Sequence, residues 1–251
     1  MSNYFESQGL KIAFYQAGAL EAPPVILVHG FASDYHLNWV GSGWERTLVT
    51  AGFRVVGLDC RGHGSSDKPH DPTSYAISTM TDDVLQLLDH LNITQAHWLG
   101  YSMGSRITLE AALKHPKRVN KVGLAGVGKR LLTDNSARAQ LIARRLRGDV
   151  SVTDPQAQLF FDFATARPPN DLQALSAAML GHQAPLSAHE LARMNQPTLV
   201  IAGDRDEMAI GSVELATLIP KAVHINITGR NHMNAVPSRL FKEPTVKFFG
   251  A

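Results

Sequence analysis

Leu99-Gly100-Tyr101-Ser102-Met103-Gly104 is the stretch from which the rest of the chain can be read. The apolar run Ala96-His97-Trp98-Leu99 leading into it has the character of a short buried strand, and Ser105 to Lys114 after it that of a helix. Where a strand turns sharply into a helix, the backbone passes close to itself on both sides of the turn residue, and a β-carbon at either flank would collide. Glycines two residues before and two after the serine answer that constraint. Ser102 is therefore expected at the tip of the turn, in strained backbone, with its hydroxyl exposed. The amide of Met103 then falls at a helix N-terminus, where unpaired N–H groups and the helix dipole favour negative charge. The bare pentapeptide also occurs in ordinary turns; the flanking strand and helix give it meaning.

Working outward, the chain keeps a strand-helix-strand rhythm. Tyr4 to Ser7 and Leu10 to Gln16, broken at Gly9, predict an antiparallel hairpin at a sheet edge. Pro24 to Val28, running into His29-Gly30-Phe31, is a continuous apolar run suited to a strand covered on both faces. A loop from Phe31 to Gly43, a helix over Trp44 to Ala51 and a strand over Phe53 to Asp59 follow. Thr79 to Leu91 shows helical spacing at Met80, Val84, Leu87, Leu88 and Leu91, with Thr79 and Asp82 placed for a capping box. After Ser102 the helix stops at His115-Pro116, and Val119 to Ala125 is one more strand. The strand signal is then lost until Gln196 to Gly203, with helix-like stretches between. Gly211 to Leu218, Val223 to Thr228 and Arg239 to Phe249 close the chain as helix, strand and helix. The expected architecture is α/β, a mostly parallel twisted sheet flanked by helices, with residues 1–127 and 196–251 as its core and 128–195 as a small helical cap insert.

Composition bounds the function. The chain has 251 residues, 44% hydrophobic and 18% charged, enough to bury roughly three quarters of its unfolded surface. A formal net charge of +2 with scattered basic residues implies neither nucleic acid nor a membrane surface as partner. The single cysteine, Cys60, excludes an internal disulfide, and no Cys/His cluster has metal-ligand spacing. Met1 to Gln8 is polar, and no run approaches the ~20 apolar residues of a membrane span. A cytoplasmic location is the expectation; the oligomeric state is left open.

Two further polar loops follow strands: Gly203-Asp204-Arg205-Asp206 and Gly229-Arg230-Asn231-His232. In an open parallel sheet the carboxyl ends of the strands form the binding edge, so residues in these loops can meet Ser102 despite their distance in sequence. Together with His29-Gly30-Phe31 and Asp59-Cys60-Arg61-Gly62-His63-Gly64-Ser65-Ser66, these motifs resemble the α/β-hydrolase superfamily, in its serine esterase, lactonase and haloperoxidase-like branch. The resemblance spans all but the insert. Relatives such as haloalkane dehalogenases and epoxide hydrolases carry aspartate at the elbow, where this chain has serine. Two departures are Ser105, where many relatives have glycine, and Ala32, where proline is frequent.

The resemblance implies a cofactor-free, metal-free hydrolase of a small carboxylic ester or lactone, working through an acyl-enzyme on Ser102. It implies His232 as general base, Asp206 as its orienting carboxylate, and the backbone amides of Phe31 and Met103 as oxyanion hole. The residues alone leave Asp204 and Asp206 both eligible; the family pattern Gly-x-x-Asp points to Asp206. Carbon–carbon bond hydrolysis or perhydrolysis on the same triad, or a ligand-binding protein without turnover, are the alternatives. His29 and His63 are expected to shape loops, Cys60 to be a small buried residue, and His182 and His189 to be solvated or packed. Arg138, Arg144, Arg145 and Arg147 make the insert locally basic, as a solvated face or, for one of them, as a receptor for an acidic substrate. Phe160, Phe161, Phe163, Met179 and Leu180 are expected to pack the insert onto the core, with some lining an acyl pocket.

Overall fold

The strand β5 (Ala96–Tyr101), which ends at the elbow, lies in the interior of an eight-stranded sheet in a computed structural model that describes residues 3–167, 169–181 and 183–250. The other strands are β1 (Asn3–Ser7), β2 (Leu10–Ala17), β3 (Pro24–Val28), β4 (Arg54–Leu58), β6 (Val119–Ala125), β7 (Thr198–Gly203) and β8 (Ala222–Ile227), in the spatial order β1-β2-β4-β3-β5-β6-β7-β8. β1 and β2 pair antiparallel at one edge, and β2 joins β4 antiparallel. All other pairings are parallel.

The continuous apolar strands have a simple cause, which is that both faces are covered. Along β3, Val25 and Leu27 enter one core and Ile26 and Val28 the other; in β5, Trp98 and Leu99 divide in the same way. One face packs on α2 (Ile77–His90) and α3 (Met103–Lys114). The other packs on α1 (Trp44–Thr50) and α9 (Arg239–Gly250), through Trp44, Leu48, Phe241 and Phe249. Burying side chains of this size on both sides contributes about 1.5–3 kcal/mol each before entropy is counted.

The start of α2 differs from the sequence reading. It begins at Ile77 behind Ala76, with no side-chain cap, so Thr79 and Asp82 form no capping box. A 3-10 turn over Pro72–Tyr75, capped by the Asp71 carboxylate on the Thr73 amide, leads straight in, and buried Tyr75 and Ile77 anchor the entry. Tertiary burial fixed the first turn where local capping chemistry pointed two residues later. The loop after β3 also contains a π-helical turn over His36–Val40.

Between β6 and β7 come α4 (Ser136–Leu146), α5 (Pro155–Thr165), α6 (Leu172–Leu180) and α7 (Ala188–Leu191), and then α8 (Ser212–Thr217) between β7 and β8. α4 packs on α5 and α6, and α6 rests on the Pro72–Tyr75 turn. Ile142, Leu146, Val152, Ala157, Ala164 and Leu175 form a small apolar cluster of their own that also encloses Ala32 of the loop after β3. Asp154 caps α5, Asp171 caps α6, and Ser187 with Glu190 makes a capping box on α7. Among the described residues no helix is long and apolar enough to cross a membrane, and no group of three or more His, Cys, Asp or Glu could hold a metal.

Candidate active site

Ser102 stands between β5 and α3 at φ 53°, ψ −112°, a left-handed backbone that an ordinary side chain occupies only when its surroundings enforce it. The surroundings do so. A β-carbon on Gly100 would lie 2.3 Å from the carbonyl carbon of Gly104, and one on Gly104 would lie 2.0 Å from the Val28 oxygen. The Ser102 amide donates to the Ala125 carbonyl at the end of β6 (2.8 Å). Ser105, the residue that departs from the family's glycine, adds a clamp. Its hydroxyl lies 2.8 Å from the Gly100 oxygen and accepts from the Ala125 amide at 2.9 Å, tying the ends of β5 and β6 to the first turn of α3.

The loops after β7 and β8 bring the other two groups. The Asp206 carboxylate, fully buried, lies 2.8 Å from Nδ1 of His232, whose side chain is 12% exposed. The same carboxylate accepts from the amides of Met208 (2.9 Å) and Ala209 (3.2 Å), which hold it in place. Asp204 instead accepts from the Gly229 amide at 2.7 Å and pins the turn that leads to His232. The Tyr101 hydroxyl donates to the His232 carbonyl, and burial pushes the Tyr101 phenol well above its ordinary pKa, so it stays a donor. The absent β-carbon of Gly126 leaves room beside the imidazole, since one there would sit 3.1 Å from His232 Cε1.

Ser102 and His232 both line an apolar cavity of about 300 Å³, together with Phe31, Leu37, Leu159, Phe160, Phe163 and Val236. The Phe31 and Met103 amides donate to no other described residue. Phe31 opens the loop after β3, and behind it Ala32 is held at φ 56°. Proline, locked near −65°, could not adopt that conformation, which accounts for the absence of proline there. The segment between α5 and α6 grips this loop: Arg167 pairs with Asp34, and Asn170 donates to the Ala32 carbonyl (3.2 Å).

His29 and His63 lie outside the pair. His29 Nε2 accepts from the Cys60 amide (2.9 Å), and Nδ1 of His63 bonds the Arg61 carbonyl (2.9 Å). Burial lowers both, His63 to about 3, so they are neutral braces of the loops that carry Phe31 and Cys60. The Cys60 thiol is buried and pushed up, hence inert. His189 is exposed, and His182 lies outside the described residues. Of the aromatic residues expected to line a pocket, Phe160 and Phe163 do, whereas Phe161 turns away beneath the Arg145 guanidinium, 4.1 Å from its ring centre.

A second, more polar cavity of about 630 Å³ also opens on Ser102 and Met103. Among the four insert arginines, Arg138 alone lines it; Arg144 pairs with Asp149 at 2.7 Å, and Arg147 is exposed. Arg106 on α3 and Arg130, which sequence reasoning missed, line it too. The signal for Arg106 was its place four residues after Ser102, one helical turn along the same face.

A family model described as the alpha/beta hydrolase fold matches residues 23–161. Among curated proteins, the dihydrolipoyllysine-residue acetyltransferase component of the acetoin cleaving system of Pseudomonas putida is 35% identical over 127 residues, 49% of this chain and 33% of that protein. The chain thus spans about a third of that relative's length. The 3-oxoadipate enol-lactonase 1 of Acinetobacter baylyi is 26% identical over 215 residues, 79% of this chain and 77% of that one. A crystal structure of a hydrolase from Pseudomonas aeruginosa superposes with a TM-score of 0.84 at 24% identity, covering 100% of this chain and 98% of the other.

Proposed function

The chain belongs to the α/β-hydrolase fold family, and from that membership we propose that it is a cofactor-free serine hydrolase cleaving a small carboxylic ester or lactone. A fold does not fix a function, so the reading rests on the site. The observation that carries it is the strained Ser102, facing the same apolar cavity as an imidazole already held by a buried carboxylate.

In this reading Ser102 Oγ attacks the acyl carbon while His232 Nε2 takes its proton, and Asp206 stabilises the resulting imidazolium. The negative charge developing on the carbonyl oxygen meets the Phe31 and Met103 amides, each such donor worth about 10²–10³ in rate. The imidazolium returns its proton to the departing alcohol. Water, deprotonated by His232, then releases the acid and restores Ser102. In this account residues 128–195 form a cap over the core of 1–127 and 196–251, and Leu159, Phe160 and Phe163 select the apolar part of the substrate. Similarity to an enol-lactonase over four fifths of the chain supports a lactone or ester over other acyl compounds.

The test is turnover of p-nitrophenyl butyrate and labelling by a fluorophosphonate. Wild-type protein is expected to do both, and Ser102→Ala to lose labelling and about 10⁶ in kcat while keeping its fold. More than a tenth of the wild-type rate in Ser102→Ala removes the serine from the mechanism. Ligand binding with neither turnover nor labelling in the wild type leaves a binding protein.

A further inference from the structure

Ser102 lines two cavities, the second more polar than the first. One is the apolar cavity described above; the other, twice as large, carries three arginines, Arg106, Arg130 and Arg138, on its walls. None of the three makes an ion pair among the described residues. Arg106 is the most telling, because it is only 7% exposed. Its Nη2 donates to the Ala184 carbonyl (2.7 Å), and its Nη1 is buried with no partner. A buried guanidinium without a carboxylate is costly unless something completes it. Burial accordingly weighs against its charge, offset only at a distance by Glu110 and Glu190. Arg130 and Arg138 share one neutral acceptor, Gln156 Oε1. The acidic residue in the lining, Asp134, is occupied by the amide (2.8 Å) and hydroxyl (3.0 Å) of Ser136.

Resting on the hydrolase reading, we infer that this second cavity is a carboxylate subsite: the substrate is an ester or lactone that also bears a free carboxylate, received by Arg106 and Arg130, with its apolar part in the cavity lined by Phe160 and Phe163. Arg106 supplies planar, directional donors one helical turn from the nucleophile, and Arg130 supplies a second positive charge to the same cavity. The product is then a hydroxy acid carrying a second carboxylate, or a dicarboxylate with an alcohol.

The experiment compares mono-p-nitrophenyl adipate with p-nitrophenyl hexanoate, which share leaving group and acyl length and differ in the terminal carboxylate. The expected result is a preference for the charged ester. The ratio of kcat/KM, charged over neutral, should fall about tenfold to a hundredfold in Arg106→Gln, mainly through KM, with partial return in Arg106→Lys. Arg130→Gln, on a half-buried residue, should lower the same ratio and keeps the test decisive if Arg106→Gln fails to fold. Arg144→Gln, on the outer face with Asp149, should leave the ratio as it is. Binding of the intact charged ester to Ser102→Ala protein, measured by calorimetry, reads the subsite without turnover, and Arg130→Gln in that background should weaken it. Loss of turnover for both esters with arginine-dependent binding retained would sink the hydrolase reading and leave the subsite standing. Ser102-dependent turnover with a ratio that no arginine variant moves overturns the subsite and spares the hydrolase.

Discussion

At the C-terminal end of β7, one carboxylate and its near neighbour divide two tasks. Asp206 faces the His232 ring and accepts two backbone amides, while Asp204 accepts the Gly229 amide. Asp206→Asn keeps an acceptor oxygen for the Met208 and Ala209 amides, so the fold should persist. Its amide nitrogen, however, presents a donor to Nδ1 and favours the tautomer whose Nε2 cannot take a proton. The proposed role therefore predicts a kcat loss of up to about 10⁴ with the melting temperature nearly kept. Asp204→Asn should do the reverse, keeping kcat and lowering the melting temperature by about 2–4 °C per kcal/mol lost. Steady-state kinetics and thermal melts on the pair decide it, and an exchanged pattern hands the role to Asp204. At this scale the chain was legible where backbone geometry dictates residue type, as at Gly100, Ser102 and Gly104. Arg130 was not legible, because sequence shows a charge without showing which wall it lines, and Arg106 was legible only through its place one turn after Ser102. The local run of arginines drew attention to α4, where three of the four face solvent, Asp149 or Phe161.

Elements built by burial on two faces announce themselves, and those built by partnership do not. The central strands of the sheet were readable from apolar runs, α2 from its helical spacing, and the end of α3 from the His115-Pro116 stop. The π-helical turn at His36–Val40 left no pattern, since its register is set from outside, by the Asp59 carboxylate on the Tyr35 amide (2.8 Å) and by Asp34 on the Leu37 amide (2.7 Å). The same holds for the strap from the α5–α6 connection to the loop after β3. Arg167 and Asn170, between α5 and α6, grip Asp34 and Ala32, three and one residues past Phe31. Burial works against an ionised Asp34, but the Leu37 amide and Arg167 outweigh it and hold the carboxyl below its ordinary range. The pair thus stays charged at neutral pH, and it helps hold Ala32 in its left-handed conformation. Arg167→Gln should loosen the loop that presents the Phe31 amide and lower kcat about tenfold with little change in KM, since small misplacements at the reacting centre cost rate. An Arg167→Gln protein with a lower melting temperature and an unaltered kcat would make the strap purely structural.

For the whole molecule, three buried imidazoles set the acid limit. Burial lowers His29, takes His63 to about 3, and takes His97, stacked 5.1 Å from the Phe249 ring, to about 4. Each folded value lies below the ordinary one near 6.5, so in the window between them the unfolded chain binds more protons. The stability they provide is complete above pH 6.5 and is lost as pH falls; His97 contributes about 1.4 kcal/mol per pH unit down to about 4 and His63 the same down to about 3, with His29 acting in the same direction. Melting temperatures taken from pH 7.5 to 4.5 should therefore decline well before carboxylates titrate. His97→Phe should flatten part of that decline, and an unchanged slope would remove His97 from the account. Another consequence belongs to the chain as it is being made. The bond from Tyr101 to the His232 carbonyl joins positions 131 residues apart, and β7 and β8 follow the other six strands of this sheet in the chain. Ser102 is thus synthesised long before its proposed base. Until β7 pairs with β6 and β8 with β7, Ser102 is an ordinary alcohol, and the chemistry proposed for it waits on the docking of those two strands.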